Sequence, residues 1–284
     1  MNNHIITRML PFAIAVCVTS WWLLGQMSLI GPRIVFLSVG NGDAIFIENS
    51  NGYQVLIDTG PDASVVRQLG SILPVWDRSL DAVFLTHAHA DHIGGLSYVT
   101  NAYTVSKVYR NDQAYDSPLY KDLIDSLPYT SQVVKNFILG DTLEQGDVTI
   151  TSLWPPRDFS PKTPVNDTAM VLYVTLRQVN ILLTSDVELA RSQFAGIVKQ
   201  AGDIDVLKMP HQGNKVSVTD TVLWSLRAEV IIYSVGHNSY GHPDPGIVAL
   251  TKSHTPYVFR TDEAGFVSVK PDVRGGYSVL TKYD

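Results

Sequence analysis

One cysteine, Cys17, is all that 284 residues contain, which excludes an intrachain disulfide and any metal cluster built on several thiolates. Charge is scarce as well. Only 17% of residues are charged against 45% hydrophobic, a balance that excludes a disordered chain and describes a well-buried globular one. Positive charge is the smaller share, since 21 Lys and Arg against 27 Asp and Glu leave a formal net charge of −6. A global basic field that would draw in nucleic acid is therefore absent, and a nucleic-acid substrate would need a local patch or a metal to hold it. No low-complexity tract and no short-period repeat is present. The length suits one large domain or two small ones.

Long apolar runs are missing but for one. Met9 to Ile30 carries no charge over about 22 residues and is bounded by Arg8 and Arg33. That length spans a bilayer, and Trp21-Trp22 suits an interfacial position. A cleaved signal peptide is the alternative, but no small-x-small site follows, and Val16 before Cys17 spoils a lipoprotein signal. Residues 1–31 are thus expected to be a membrane anchor or signal segment and 32–284 the folded domain. The anchor pattern places that domain outside the cytoplasm; cleavage would make it secreted.

After Pro32 the pattern changes to short strands over Arg33–Ser38, Ala44–Glu48 and Tyr53–Ile57, with Asn51-Gly52 as a hairpin signal. A helix over Asp62–Ser71 and a buried strand over Asp81–Leu85 follow, then a helix from about Asp91. Strand Val105–Arg110 and a helix near Pro118–Leu127 complete the first half. The second half starts again with strands Val148–Leu153, Ala169–Leu176 and Val179–Thr184. It continues with helix Glu188–Gln200, strand Asp205–Met209, helix Thr219–Leu226 and strand Glu229–Val235. The tail reads as strands over Pro256–Phe259, Gly265–Val269 and Tyr277–Leu280, and the Pro-rich Trp154–Pro164 as a loop near the site. Two halves that each pass from hairpins to helix-covered strands predict two sheets packed face to face with helices outside.

The chemistry concentrates in Leu85-Thr-His-Ala-His-Ala-Asp-His92. The chain leaves a strand at Thr86 in extended form, so His87 and His89, two apart, point the same way. Asp91 and His92 then open a helix, where Asp also serves as an N-terminal residue. Ala88 and Ala90 keep the loop free of bulk, and Gly94-Gly95 lets another segment pack close. Histidine and carboxylate at this density predict a metal site. Asp186, after Ile181-Leu-Leu-Thr-Ser, is placed either to bridge two cations or to cap the helix near Glu188. His211 follows the strand Val206-Leu-Lys-Met-Pro and is a further strand-end candidate. Asp58 ends Leu56-Ile-Asp-Thr-Gly60 and is expected to orient a ligand histidine through its other ring nitrogen.

HAHADH after a strand resembles the HxHxDH signature of the metallo-β-lactamase superfamily. Leu37-Ser-Val-Gly-Asn-Gly-Asp-Ala44, Leu56–Gly60, Leu183-Thr-Ser-Asp186, Leu207-Lys-Met-Pro-His-Gln-Gly213 and Ser234-Val-Gly-His-Asn-Ser-Tyr-Gly-His-Pro243 look like one branch, the hydrolase domain of ComEC/Rec2-type DNA-uptake (competence) proteins. The resemblance runs from Arg33 to the C-terminus. It implies an α/β (α+β) fold, a four-layer αββα sandwich with metals at one edge between the sheets, here preceded by one N-terminal transmembrane helix. It further implies two divalent ions, Zn²⁺ by the donor set, with Mn²⁺ or Fe also compatible. His87 and His89 would hold one ion, Asp91, His92 and His211 the other, with Asp186 bridging. Asn166 or Asp167 would complete the first, Asp43 and Asp58 would support the ligands, and His242 would contact substrate phosphate or donate a proton. The chain departs from the pattern in having Gln212 where the branch has a second histidine, Thr-Ser-Asp for Thr-Gly-Asp, and no third histidine before Asp186.

Such a site lowers the pKa of water and holds both the nucleophile and the attacked group. The reading favoured is a membrane-anchored phosphodiesterase or nuclease acting on DNA, single-stranded DNA among its substrates, with Asp91 holding or deprotonating the water. An ester, thioester or lactam hydrolase, and a catalytically weak metal-binding scaffold at the membrane, are the alternatives. Lys208, Lys215 and Arg177 are candidates for phosphate contacts, each with a solvated surface charge as its ordinary reading. His237 is a weaker candidate, and His4 and His254 look ordinary. Protein partners are not indicated.

Overall fold

Strands whose side chains are apolar on both faces need a cover on each side, and the fold supplies two. A computed structural model describes residues 14–21, 31–111, 117–125, 127, 132–134, 137–158, 160, 163–188, 191–215 and 218–283. One mixed sheet has the order β15-β14-β1-β2-β3-β4-β5-β6. Its strands are β1 (Arg33–Phe36), β2 (Ile45–Glu48), β3 (Gln54–Ile57), β4 (Ser79–Leu85), β5 (Thr104–Arg110), β6 (Gln132–Val134), β14 (Val267–Pro271) and β15 (Tyr277–Thr281). The other has the order β13-β12-β11-β10-β9-β8-β7. It contains β7 (Thr142–Gln145), β8 (Val148–Trp154), β9 (Val171–Leu176), β10 (Val179–Leu183), β11 (Val206–Lys208), β12 (Val230–Tyr233) and β13 (Tyr257–Arg260).

Period-two alternation divides each strand between two cores. Ile34 and Phe36 of β1, Ile57 of β3 and Phe84 of β4 face Leu172, Val174, Ile181 and Ile232 of the opposite sheet. Val35, Leu56 and Val83 face outward onto α2 (Ser64–Ile72), α4 (Leu96–Ala102) and α5 (Pro118–Asp125) through Leu69, Val99 and Leu123. On the other outer face, Leu182, Leu207 and Ile231 meet α6 (Arg191–Ala201), α7 (Asp220–Leu226) and α8 (Pro245–His254) through Phe194, Leu223 and Ile247. The result is the four-layer helix–sheet–sheet–helix sandwich expected from the sequence. Both halves repeat one plan: β1 to β3 are antiparallel and β3 to β6 parallel, as β7 to β10 are antiparallel and β10 to β13 parallel.

Several expectations need correction. The helix from Asp91 is two pieces, α3 (Ala90–Ile93) and α4, because Gly95 N–H turns to donate to Gly60 O (2.9 Å). A Cβ on Gly95 would stand 2.1 Å from Thr59 O, so glycine is what permits that approach. Helices α8 and α9 (Thr261–Ala264) and strands β6 and β7 were not anticipated. The expected transmembrane helix has no support: α1 covers 14–21, and among the described residues no helix is long and apolar enough to cross a membrane. The rest of Met9–Ile30 lies outside the described residues.

Candidate metal centre

The parallel strands β3, β4, β10, β11 and β12 send their C-terminal ends to one rim, and the loops that follow them carry the histidines and aspartates. Asp58, in left-handed backbone (φ 58°) after β3, is wholly buried and accepts hydrogen bonds from Thr86 N (2.8 Å), Thr86 Oγ1 (2.7 Å) and His92 Nδ1 (2.7 Å). This turns His92 Nε2 toward Asp186 Oδ2, 3.2 Å away. Because Thr86 Oγ1 gives its proton to Asp58, it can only accept from His87 Nδ1, 3.0 Å away. His87 is thereby fixed in the tautomer whose Nε2 carries a lone pair, and that atom lies 3.2 Å from His89 Nδ1. Two nitrogens bound to one tetrahedral Zn²⁺ stand about 3.3 Å apart.

From the second half, Asp186 follows β10 and is buried against Lys208, whose Nζ lies 2.5 Å from Asp43 Oδ2 and 3.6 Å from Asp186 Oδ1 and donates to Ser185 O (2.9 Å). Three successive left-handed residues, His211 (φ 44°), Gln212 (φ 51°) and Gly213 (φ 85°), fold the chain back after β11. His211 Nδ1 meets Glu188 Oε1 at 2.5 Å, which leaves Nε2 facing Asp186 Oδ2 at 3.8 Å. Gln212 Nε2 donates to Asp186 Oδ2 (2.8 Å) and Asp91 Oδ2 (3.2 Å), and Gln212 Oε1 accepts from Asn41 Nδ2 (2.9 Å). The loop before β2 closes this side, where a Cβ on Gly42 would lie 2.1 Å from Asp91 O.

The electrostatics follow from burial and pairing. Burial holds His87 well below the ordinary imidazole value, so it is neutral. Burial also opposes a charge on His92, but Asp186 and Asp58 outweigh it and hold His92 well above that value. Burial likewise disfavours the Asp186 carboxylate, yet His92 and Lys208 carry it well below the usual carboxylate range. Asp43 is pushed up to about 6 by burial, with Lys208 opposing. Burial lowers His89 and His242, the latter with help from His211, whose ring centroid is 5.4 Å away.

A cation fits this donor set. His87, His92 and Asp186 offer buried ligand atoms all within 4.8 Å of one another, and Asp43, Asp58 and His92 form a second such group. His92 Nε2, Asp186 Oδ1 and Asn166 Oδ1 are buried without a hydrogen-bond partner. Asn166 lies on the turn Asn166–Thr168, which Asn111 Nδ2 ties to the motif by donating to Thr168 O (2.7 Å) and Thr86 O (3.3 Å). Asp167 is turned to Glu188, its carboxyl raised by burial and then by that charge. His242 sits at the mouth, its loop clamped by Asn238, which donates to His242 O (2.7 Å) and accepts from His242 N (3.0 Å). His237 is exposed, and His254 pairs with Asp220 (3.0 Å) away from the rim.

The phosphate-contact candidates fare differently. Lys208 is fully buried rather than solvated; it neutralises the carboxylates under the site. Arg177 lies at the far end of β10 on Asp147 (3.1 Å), and Lys215 is exposed beside the His211 turn. Asn41, Asn111, Ser185 and Glu188 escaped the sequence reading. Asn41 and Ser185 do lie inside the motifs that carry the resemblance, and Lys208 stands out as an ionisable residue inside a strand that is otherwise apolar.

The chain is 26% identical over 295 residues to ComE operon protein 3 of Bacillus subtilis, covering 95% of this chain and 37% of that protein. Recombination protein 2 of Haemophilus influenzae is 25% identical over 94% of this chain and 32% of its own length. The chain thus spans about a third of the length of these curated relatives. Exodeoxyribonuclease WalJ of Streptococcus pneumoniae is 27% identical over 75% of this chain and 74% of its own. Among solved structures, the metallo-beta-lactamase fold protein YhfI of Bacillus subtilis superposes with a TM-score of 0.56 at 18% identity, covering 81% of this chain and 96% of that one. Zn²⁺-bound PqqB of Methylobacterium extorquens gives 0.55 at 12%, with 81% and 97% covered. These superpositions speak for the fold alone. The family model of the metallo-beta-lactamase superfamily matches residues 37–237, and with the resemblance to ComEC/Rec2-type proteins the chain belongs to that superfamily.

Proposed function

We propose that this protein is a metal-dependent phosphodiesterase acting on DNA, with His87, His89, Asp91, His92, Asp186 and His211 around the metal position. The observation that carries the metal part is the convergence of two buried ligand atoms that make no hydrogen bond, His92 Nε2 and Asp186 Oδ1, beside the facing nitrogens of His87 and His89. The similarity to Recombination protein 2 and to Exodeoxyribonuclease WalJ supports a DNA phosphodiester as substrate. A bound divalent ion supplies acidification of a water and polarisation of the attacked group.

The chain's own residues supply the rest. Asp58 and Glu188 fix the rings of His92 and His211 through the nitrogens that face away from the site. Asp91 keeps a partly exposed carboxylate at the rim, able to accept a proton from a water there. His242, neutral because burial lowers it, serves as an N–H donor to a phosphate oxygen rather than as a fixed cation. The carboxylates repel a free phosphodiester, so binding of substrate is coupled to binding of metal. The placement of the sandwich over 32–284 outside the cytoplasm is a separate part of the proposal that rests on the charge-free run Met9–Ile30 alone, and protease access on intact cells checks it.

The test is hydrolysis of single- and double-stranded DNA by the Mn²⁺- or Zn²⁺-loaded full chain, with a thioester as comparator. Asp91→Ala is expected to lower the rate on the order of 10²-fold or more. Cleavage of the thioester without cleavage of DNA, or equal rates in Asp91→Ala, overturns the assignment.

A further inference from the structure

The two sides of the candidate centre are not equivalent. On the His87 side, two buried ligand atoms, His92 Nε2 and Asp186 Oδ1, make no hydrogen bond, and His87 Nε2 faces His89 Nδ1 at 3.2 Å while the ring's proton, on Nδ1, is committed to Thr86. On the Asp91 side two carboxylate oxygens are already engaged. Asp91 Oδ2 and Asp186 Oδ2, the carboxylate oxygens that face each other there, both receive the Gln212 amide, at 3.2 and 2.8 Å.

The orientation of that amide is fixed by chemistry. Ionised carboxylates only accept, so the group between them must be the NH₂, and its two N–H bonds are both used. The remaining atom, Oε1, accepts from Asn41 Nδ2 at 2.9 Å, so the amide is held from behind as well. Gln212 is 1% exposed and sits in left-handed backbone (φ 51°) between His211 and Gly213, so its aim is set by the chain. A histidine at this position would present a lone pair to a cation; the glutamine presents two partial positive charges to the anions that a cation would bridge.

Resting on the metal-dependent reading above, we propose that the Gln212 carboxamide takes the place of a second cation, so that this chain holds one divalent ion, on the His87–His89 side, and not a pair. Asn41 is the positioning residue that keeps the amide there. The substrate then meets a single ion flanked by the neutral Gln212 NH₂, where a dinuclear relative would present two ions.

The experiment is metal counting on the full-length chain. Wild type, Gln212→His and Asn41→Ala are loaded with excess Zn²⁺, desalted and measured by elemental analysis against protein concentration. About one ion is expected in wild type and about two in Gln212→His, in line with ligand number at zinc sites. Asn41→Ala, which releases the amide, is expected to take up a second ion more weakly. Loading wild type with Mn²⁺ gives a readout that needs no variant, since one isolated ion gives an uncoupled paramagnetic spectrum and two neighbouring ions an exchange-coupled one. Two tightly held ions or a coupled spectrum in wild type, or one ion in a folded Gln212→His, overturns the proposal while leaving the metal-dependent reading intact. No ion in wild type overturns both.

Discussion

A lysine with no exposed surface must be matched by anions of equal depth, and Lys208 is matched by Asp43 and Asp186. Lys208→Met is expected to destabilise the fold by about 3–5 kcal/mol, because it strands two buried carboxylates. Lys208→Met with Asp43→Asn should cost less than the sum of the single changes, and a denaturant double-mutant cycle that comes out additive would remove the pairing from the account. His92 makes a pH prediction. Its folded value is raised by Asp186 and Asp58 against the cost of burial, so the protonated ring stabilises the metal-free fold below its unfolded value near 6.5. That contribution is lost as pH rises through the raised value. A cation needs the His92 Nε2 lone pair, whereas His87 is already neutral, so apparent Zn²⁺ affinity should rise about tenfold per pH unit across this window. Chelator-competition titrations between about pH 6 and 8 check this, and a flat profile sinks it. At this scale the sequence was most readable where residue type and spacing repeat, as in HAHADH. It was least readable where a role depends on a partner far along the chain: Gln212 meets Asp91 121 positions away, and Asn111 meets Thr168 57 away.

Elements fared better than their edges, for a physical reason. Strands such as β4 and β10 are apolar on both faces, and their burial on both sides makes the run visible without knowledge of the neighbour. Helix α8 carries a start signal that went unassigned, since Asp244 caps it by accepting from Gly246 N and Ile247 N with Pro245 at the first position. Strands β6 and β7 are short and lie at sheet edges, where pairing with a neighbour and not internal pattern makes the strand. Close approach of elements gives another prediction. Gly42 (φ 131°) lets its loop pass over the backbone of Asp91, so Gly42→Ala meets both an unfavourable backbone conformation and Asp91 O at 2.1 Å. A loss of about 1–3 kcal/mol is expected, together with weaker metal binding, since the displaced backbone carries Asp91. If stability falls and metal affinity stays at the wild-type value, the loop packs on Asp91 without positioning it.

At the scale of the molecule, the rim draws on both halves: His87, His89, Asp91 and His92 follow β4, while Asp186 and His211 follow β10 and β11. The sheets are otherwise joined by the apolar layer between them, where Phe84 stacks on Tyr109 (4.6 Å) and meets Phe137 edge-on (5.0 Å). Phe84→Ala should cost about 3–5 kcal/mol through that layer alone. A cation at the rim adds a second join, and it binds only when the two halves are docked, because Asp186 reaches His92 only across the sandwich. Metal therefore stabilises by mass action, about 2.7 kcal/mol at a free concentration one hundred times Kd, and the unfolding temperature should climb with the logarithm of Zn²⁺ concentration. The same titration on Asp186→Asn separates the two joins. If the rim links the halves, the variant keeps a cooperative transition from the apolar layer but loses most of the metal-dependent rise. A full metal-dependent rise in Asp186→Asn would place the cation within the first half alone.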